Sequence, residues 1–353
     1  MNRLSPWLLP ALLLVPACNS AKTPTVAPKP VDAAKVAFVT NNPDPFWNIV
    51  EAGCNKAAEE TGVDLVYKKP GSGNASEQKE IIDSLLAQGV KAVSVSVIDP
   101  KNQTAYLDEV SAKTPLLAVD NDAPKSKRRA YIGTDNYSAG RAAGKLVKEA
   151  LPDGGTIAIF VGQTEALNAR QRARGVLDEL SNEKPLADVN DVPPLPTGSG
   201  TYGEKYKLHK IATDQPEGEP ACQRKATDVL LELKDDPKVC LVGLWAYNPP
   251  AILSAVKDQN KLGKVKIVAF DENPKTLIGI EDGHIVGTIV QDPFNFGYQA
   301  VKTMSSLAKG ETLTGDPVRY VPFRVVTKAG GEGKLTIPEY RTQEAKKVGK
   351  GGR

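Results

Sequence analysis

The chain has 353 residues, 41% of them hydrophobic and 25% charged. That length exceeds the roughly 250–300 residues one core usually serves, so two domain-sized cores are expected, in a composition typical of soluble globular proteins. Forty-five Lys+Arg against 42 Asp+Glu give a net charge of +3, and only His209 and His284 are histidines. The charge balance argues against a dedicated nucleic-acid binder, and the two histidines against a His-rich metal centre or histidine-based catalysis.

The first segment, residues 1–18, carries Arg3, an apolar run from Trp7 to Val15, and then Ala17 and Cys18. The run is too short to span a bilayer, and the order of charge, apolar stretch and small residues is that of an export signal. Val15-Pro16-Ala17-Cys18 resembles a bacterial lipobox, in which the cysteine becomes the lipidated mature N-terminus. An ordinary signal peptide with an incidental cysteine, or a buried apolar segment, is the alternative. Residues 19–34 hold Pro24, Pro28 and Pro30 among Ala, Thr and Lys, a composition that makes a semi-rigid solvated tether. Cys54, Cys222 and Cys240 remain, an odd set with irregular spacing that matches neither a disulfide framework nor a zinc motif. Cys54 and Cys240 read as small core residues, and one disulfide stays possible.

From Lys35 onward, short apolar runs alternate with amphipathic stretches. Strands are expected at 35–39, 65–67, 92–97 and 116–119, with helices at 46–61, 76–88, 101–112 and 138–151. The second half repeats the scheme, with strands at 156–161, 208–212, 239–244, 266–270 and 285–289. Its helices fall at 169–180, 223–234, 250–260, 274–283 and 297–309. Strands apolar throughout and separated by helices indicate parallel sheets covered on both faces. The fold class is therefore α/β, with two doubly wound parallel-sheet lobes. Residues 183–206 interrupt the pattern with prolines and glycines and read as a surface excursion. Residues 341–353, with Lys346, Lys347, Lys350 and Arg353, read as a basic tail.

In open parallel sheets, ligands bind outside the carboxyl ends of the strands. The residues found there are Thr40-Asn41-Asn42-Pro43-Asp44-Pro45-Phe46-Trp47, then Asp120-Asn121-Asp122, Thr134-Asp135-Asn136 beside the crossover, Gly162-Gln163, Asn168-Ala169-Arg170, Trp245-Ala246-Tyr247-Asn248, Asp271-Glu272-Asn273 and Gln291-Asp292. Any one of them could be an ordinary turn former or helix cap. Jointly they set carboxylates, carboxamides, an arginine and aromatics along one edge of both sheets. Such a set suits a polyhydroxylated small molecule, hydroxyls pairing with the polar groups and aromatic faces covering C–H surfaces.

These residues carry a resemblance to the ribose-binding-protein family of bacterial substrate-binding proteins, which feed ATP-driven (ABC) sugar importers. The resemblance runs from about Lys35 to about Val326. Asn42-Pro43 with Phe46-Trp47 is similar to the family's first-strand signature, with Asp44-Pro45 inserted, and Asp120 stands at its aspartate after the fourth strand. Asn121 stands where the family often has arginine, which leaves ribose itself in question. The helix start Ala169-Arg170-Gln171-Arg172-Ala173-Arg174-Gly175 is similar to the family's Ala-Arg-x-Arg-x-x-Gly, with Arg170 in the ligand-arginine place. Asn248, Phe270-Asp271 and Thr288-Ile289-Val290-Gln291 match further motifs, and Asp214 is the candidate where the family has an aromatic or polar residue.

The resemblance implies two lobes joined by a three-crossover hinge near Asp135, Gln291 and Tyr320, the periplasmic binding protein type I arrangement. Lobe I would be residues 35–134 plus 292–319, and lobe II residues 135–291 plus 320–340. It implies a ligand site made of Asn42, Phe46, Trp47, Asp120, Asn121, Arg170, Asp214, Asn248, Phe270, Asp271 and Gln291, with no cofactor, metal or catalytic residue. The ligand would be a monosaccharide or polyol, captured by hinge closure and delivered to ABC permease subunits by an exported monomer anchored only through Cys18. A sensory binding protein presenting a sugar-like signal to a chemoreceptor or sensor kinase is the alternative. A glycosidase using Asp120 and Asp271 is a weaker reading, and a sugar-responsive repressor is set aside because an export signal stands where its DNA-binding helices would be.

Overall fold

A computed structural model describes residues 33–349; the export signal with Cys18, tether residues 19–32, and Lys350 and Arg353 lie outside them. The first layer begins with β1 (Lys35–Val39), α1 (Phe46–Thr61), β2 (Asp64–Lys68), α2 (Ala75–Ala87), β3 (Ala92–Val95), α3 (Pro100–Lys113), β4 (Leu116–Val119) and β5 (Ala130–Gly133). The chain then crosses to α4 (Asn136–Ala150), β6 (Gly155–Val161), α5 (Leu167–Leu180), β7 (Gly200–Tyr202), β8 (Tyr206–Thr213), α6 (Glu219–Glu232) and β9 (Val239–Gly243). Next come α7 (Asn248–Asp258), β10 (Lys266–Phe270), α8 (Pro274–Glu281) and β11 (Gly287–Val290). It returns for α9 (Pro293–Ala308) and β12 (Val318–Tyr320), and crosses a third time to β13 (Arg324–Thr327), β14 (Lys334–Leu335) and α10 (Ile337–Gly349).

Two sheets result, in the orders β12-β5-β4-β3-β1-β2 and β14-β13-β11-β10-β9-β6-β8-β7. The first is parallel throughout. The second is parallel except where β13 runs against β11 and β7 against β8. Strands such as β3, β4 and β9 are buried at every position, because helices cover both faces. Two doubly wound α/β lobes, as the alternation predicts, therefore share three crossovers, after Gly133, Val290 and Tyr320.

The elements absent from the sequence expectation are short or peripheral. β5 and β12–β14 have two to four residues, too few to display a period. The excursion at 183–206 contributes β7, an edge strand, and the basic tail begins inside α10 rather than after the fold. Cys54, Cys222 and Cys240 are free thiols, all buried.

One packing detail places the site. Helices α4 and α5 pack so closely that a Cβ on Gly140 would lie 2.2 Å from the Arg172 carbonyl oxygen, and one on Gly175 2.3 Å from that of Tyr137. Glycine at both positions lets the two backbones touch, which brings the first turns of α5 up against the crossover entering α4.

Candidate functional site

The carboxyl ends of both sheets face one cavity with about 370 Å³ of empty space, including its opening to solvent. Two aspartates enter it from the ends of central strands. Asp120 follows β4 and Asp271 follows β10, both in the left-handed region (φ 63° and 66°) that Asp tolerates better than most residues. Each is pinned by its backbone, the Asp120 N–H donating to Ile132 O (3.0 Å) and the Asp271 N–H to Ile289 O (2.8 Å). Both carboxyls are buried, and burial pushes both above the usual carboxylate range against the opposing pull of Arg172. Ser96 Oγ donates to Asp120 Oδ2 (3.0 Å), and Gln291 Nε2 to Asp271 Oδ1 (2.8 Å).

Arg172, on the second turn of α5, stands between them. Its Nε donates to Asn136 Oδ1 (2.8 Å), Nη1 to Leu244 O (2.9 Å) and Nη2 to Gln291 Oε1 (3.0 Å). The guanidinium carbon lies 4.1 Å from the Phe270 ring centroid, and Nη2 is 4.0 Å from Asp120 Oδ1. A guanidinium has five N–H groups, so two remain beyond these three bonds on a side chain that lines the cavity.

Aromatic rings close the remaining sides. Asn42 Oδ1 accepts from Trp47 Nε1 (3.0 Å) and the Asp44 N–H (2.9 Å), and Asp44 Oδ1 accepts from the Phe46 N–H (2.8 Å). The inserted Asp44-Pro45 thus builds a side-chain-locked turn that presents Phe46 and Trp47 to the cavity. Trp245 and Tyr247 approach from the end of β9, edge to face at 6.1 Å. Three buried polar atoms on lining residues have no hydrogen-bond partner among the described residues: Asn41 Oδ1, Asn168 Oδ1 and Trp245 Nε1. Buried polar groups are seldom left so, and these are open to a bound molecule.

Of the residues singled out in the sequence, Asn42, Phe46, Trp47, Asp120, Asp271 and Gln291 line the cavity. Arg170 does not, and Arg172 stands in the place expected for it. The reason is helical periodicity: Asn168 and Arg172 are four apart and share the cavity-facing side of α5, whereas Arg170 lies between them on another face. Asn121 is buried beneath the site, its Nδ2 donating to Val97 O and its Oδ1 accepting the Asn168 N–H (2.9 Å) across the lobes. Asp214 accepts from Tyr247 Oη and from Asn248 Nδ2 (2.8 Å), so both sit behind Tyr247 as scaffold. Asn248 Oδ1 also accepts the Trp245 N–H (2.9 Å). Phe270 is the platform under Arg172. Asn41, Asp44, Asn168, Trp245, Ala246 and Tyr247 complete the lining; strand-end position marked all six.

The model of a periplasmic binding protein domain family matches residues 36–312. The chain belongs to this family. Among its periplasmic binding protein relatives, the ribose import binding protein of Haemophilus influenzae is 25% identical over 277 residues, 76% of this chain and 84% of that protein. The fructose import binding protein of Bifidobacterium longum is 25% identical over 320 residues, 87% of this chain and 88% of that one. Among solved structures, a solute-binding protein of an ABC transporter from Burkholderia graminis, in complex with D-arabinose, superposes with a TM-score of 0.74 at 25% identity, covering 86% of this chain and 98% of that one. A glucose-galactose binding protein from Geobacillus stearothermophilus gives 0.72 at 27% identity, covering 84% and 98%.

Proposed function

We propose that this protein captures a monosaccharide or related polyol between its lobes and delivers it to an ABC importer. One observation carries the reading: Asp120, Asp271 and Arg172 converge on an aromatic-walled cavity whose Asn41, Asn168 and Trp245 hold unpartnered polar atoms. Vicinal hydroxyls donate to carboxylates and amide oxygens while accepting from guanidinium and indole N–H groups, and Phe46, Trp47 and Trp245 cover ring C–H surfaces. The relatives named for ribose and fructose import support the ligand class and the delivery step.

Binding proceeds by hinge closure. The three crossovers are the hinge, and contacts across the cleft, Asn168 N–H to Asn121 Oδ1 (2.9 Å) and Gln163 Nε2 to Ile98 O (3.1 Å), hold the closed form. The site residues are Asn42, Phe46, Trp47, Asp120, Arg172, Asp271 and Gln291, with Asp214, Asn248 and Phe270 positioning them. The protein acts as an exported monomer, attached to the membrane through lipid on Cys18 and tethered by residues 19–34.

Thermal unfolding against pentoses, hexoses, polyols and cyclitols tests ligand class. A ligand at 1,000 times its Kd adds about 4.1 kcal/mol and raises the midpoint by on the order of 8–16 °C. Loss of uptake of that ligand on deleting the gene separates delivery from signalling.

A further inference from the structure

The cavity's charge is unbalanced. Asp44, Asp120 and Asp271 line it against a single cation, Arg172, three of whose five N–H groups go to Asn136, Leu244 and Gln291. Asn121, beside Asp120, brings no second positive charge and is spent on Val97 and Asn168. Of the three unpartnered polar atoms on the lining, Trp245 Nε1 is a donor and the other two are acceptors. Asn168 donates its Nδ2 to Asp120 Oδ2 (3.5 Å), which fixes its amide and leaves Oδ1 as an unpartnered acceptor. Asn41 Oδ1 is a second one, and both residues are more than nine-tenths buried. The adjoining compartment, which shares Asp44, Phe46 and Asp271 with the cavity, adds Glu272, whose buried Oε2 also has no hydrogen-bond partner.

Acidic side chains on the lining therefore outnumber basic ones three to one, and unpartnered amide oxygens stand beside them. A neutral sugar offers more acceptors than donors, since each hydroxyl accepts as well as donates and the ring oxygen only accepts, and it leaves two of the three carboxyl groups without a counter-charge in a desolvated site. An ammonium group supplies three donors, no acceptor and one of the two missing positive charges.

We propose that the preferred ligand is cationic, an amino sugar or an aminated polyol, a specificity that rests on the sugar reading above. The ammonium takes the side of the cavity bounded by Asp44 and Asp271, while ring hydroxyls meet Asp120, Asn168 and Arg172. A hydrogen bond to a charged donor exceeds a neutral one by enough to give roughly a tenfold preference.

The test is calorimetry of the full-length protein with matched pairs: glucose, galactose, mannose and glucitol against their derivatives aminated at carbon 1, 2 or 6, at a pH where the amines are protonated. At least one amine should bind about tenfold or more tighter than its parent. Asp44→Asn, whose Oδ1 can still accept the Phe46 N–H, should shrink that advantage with little change in thermal midpoint. A parent sugar binding as tightly as every amine derivative overturns the proposal while the sugar reading stands. Absence of binding by both classes overturns both.

Discussion

Arg172 Nη2 donates to Gln291 Oε1 at 3.0 Å, so the arginine at the start of one lobe's helix is bonded to the crossover that carries the chain back to the other lobe. The other end of the same amide donates to Asp271, and the guanidinium also reaches Asp120. The proposed ligand contact and the geometry of the crossover thus run through one side chain. Arg172→Ala should lower ligand affinity by about 10–150-fold, the loss of one charged hydrogen bond being worth roughly 1.5–3 kcal/mol. It should also destabilise the ligand-free protein by about 3–5 kcal/mol through the uncompensated charges left behind. Arg170→Ala should leave affinity within about twofold. Calorimetry and denaturant unfolding of the two variants check both statements.

Close packing of α4 on α5 should be felt at the site. Gly140→Ala forces a methyl to within 2.2 Å of the Arg172 carbonyl oxygen. Overpacking of this kind costs about 1–3 kcal/mol, and because the strained atom belongs to Arg172 itself, affinity should fall as well. Gly198→Ala, with nothing within 4 Å of the new Cβ, is the control and should change neither.

Asp214 gives a pH signature. Burial pushes its carboxyl up to about 7, against the pull of hydrogen bonds from Tyr247, Cys222 and Asn248 and of nearby Lys225. Its folded value exceeds its unfolded value, so its contribution to stability is fully present below about pH 4 and is lost as pH rises through about 7. For this one group the slope is at most about 1.4 kcal/mol per pH unit. Asp214→Asn should therefore gain stability relative to the parent as pH rises from about 5 to 8, as unfolding midpoints at each pH will show.

Trp245 lines the cavity with an indole N–H that has no partner among the described residues. Trp245→Phe keeps an aromatic wall and removes that donor. Affinity should drop about 2–12-fold, as for a neutral hydrogen bond of roughly 0.5–1.5 kcal/mol, and the thermal midpoint of the ligand-free protein should fall slightly because the lost indole ring packs on Gly162.

What the sequence made legible follows from the length of its signals. Strands β1, β4 and β10 and helix α1 lie within runs long and apolar enough to be bounded to the residue. β5, with Ala130–Gly133 between Arg129 and Thr134, has no such run and is fixed only by pairing with β4 and β12. At the site, strand-end position identified Asp120, Asp271 and Gln291 correctly as cavity residues, because a parallel sheet sends every strand end to one edge. It could not say which polar side chains turn inward. Asn121, Asp214 and Asn248 also follow strands, yet their capacity goes to Val97, Tyr247 and the Trp245 backbone. The displacement from Arg170 to Arg172 was readable in principle: once Asn168 is taken as cavity-facing, the next residue on that face of a helix is four along.

The most direct test of the account is calorimetric titration of the parent protein and of Arg172→Ala with the ligand that most raises the thermal midpoint. Capture through Arg172 predicts one site per chain in the parent and a loss of about 10–150-fold in the variant. Binding by the parent that Arg172→Ala leaves unchanged, or no binding by any pentose, hexose, polyol, cyclitol or amine derivative, would contradict it.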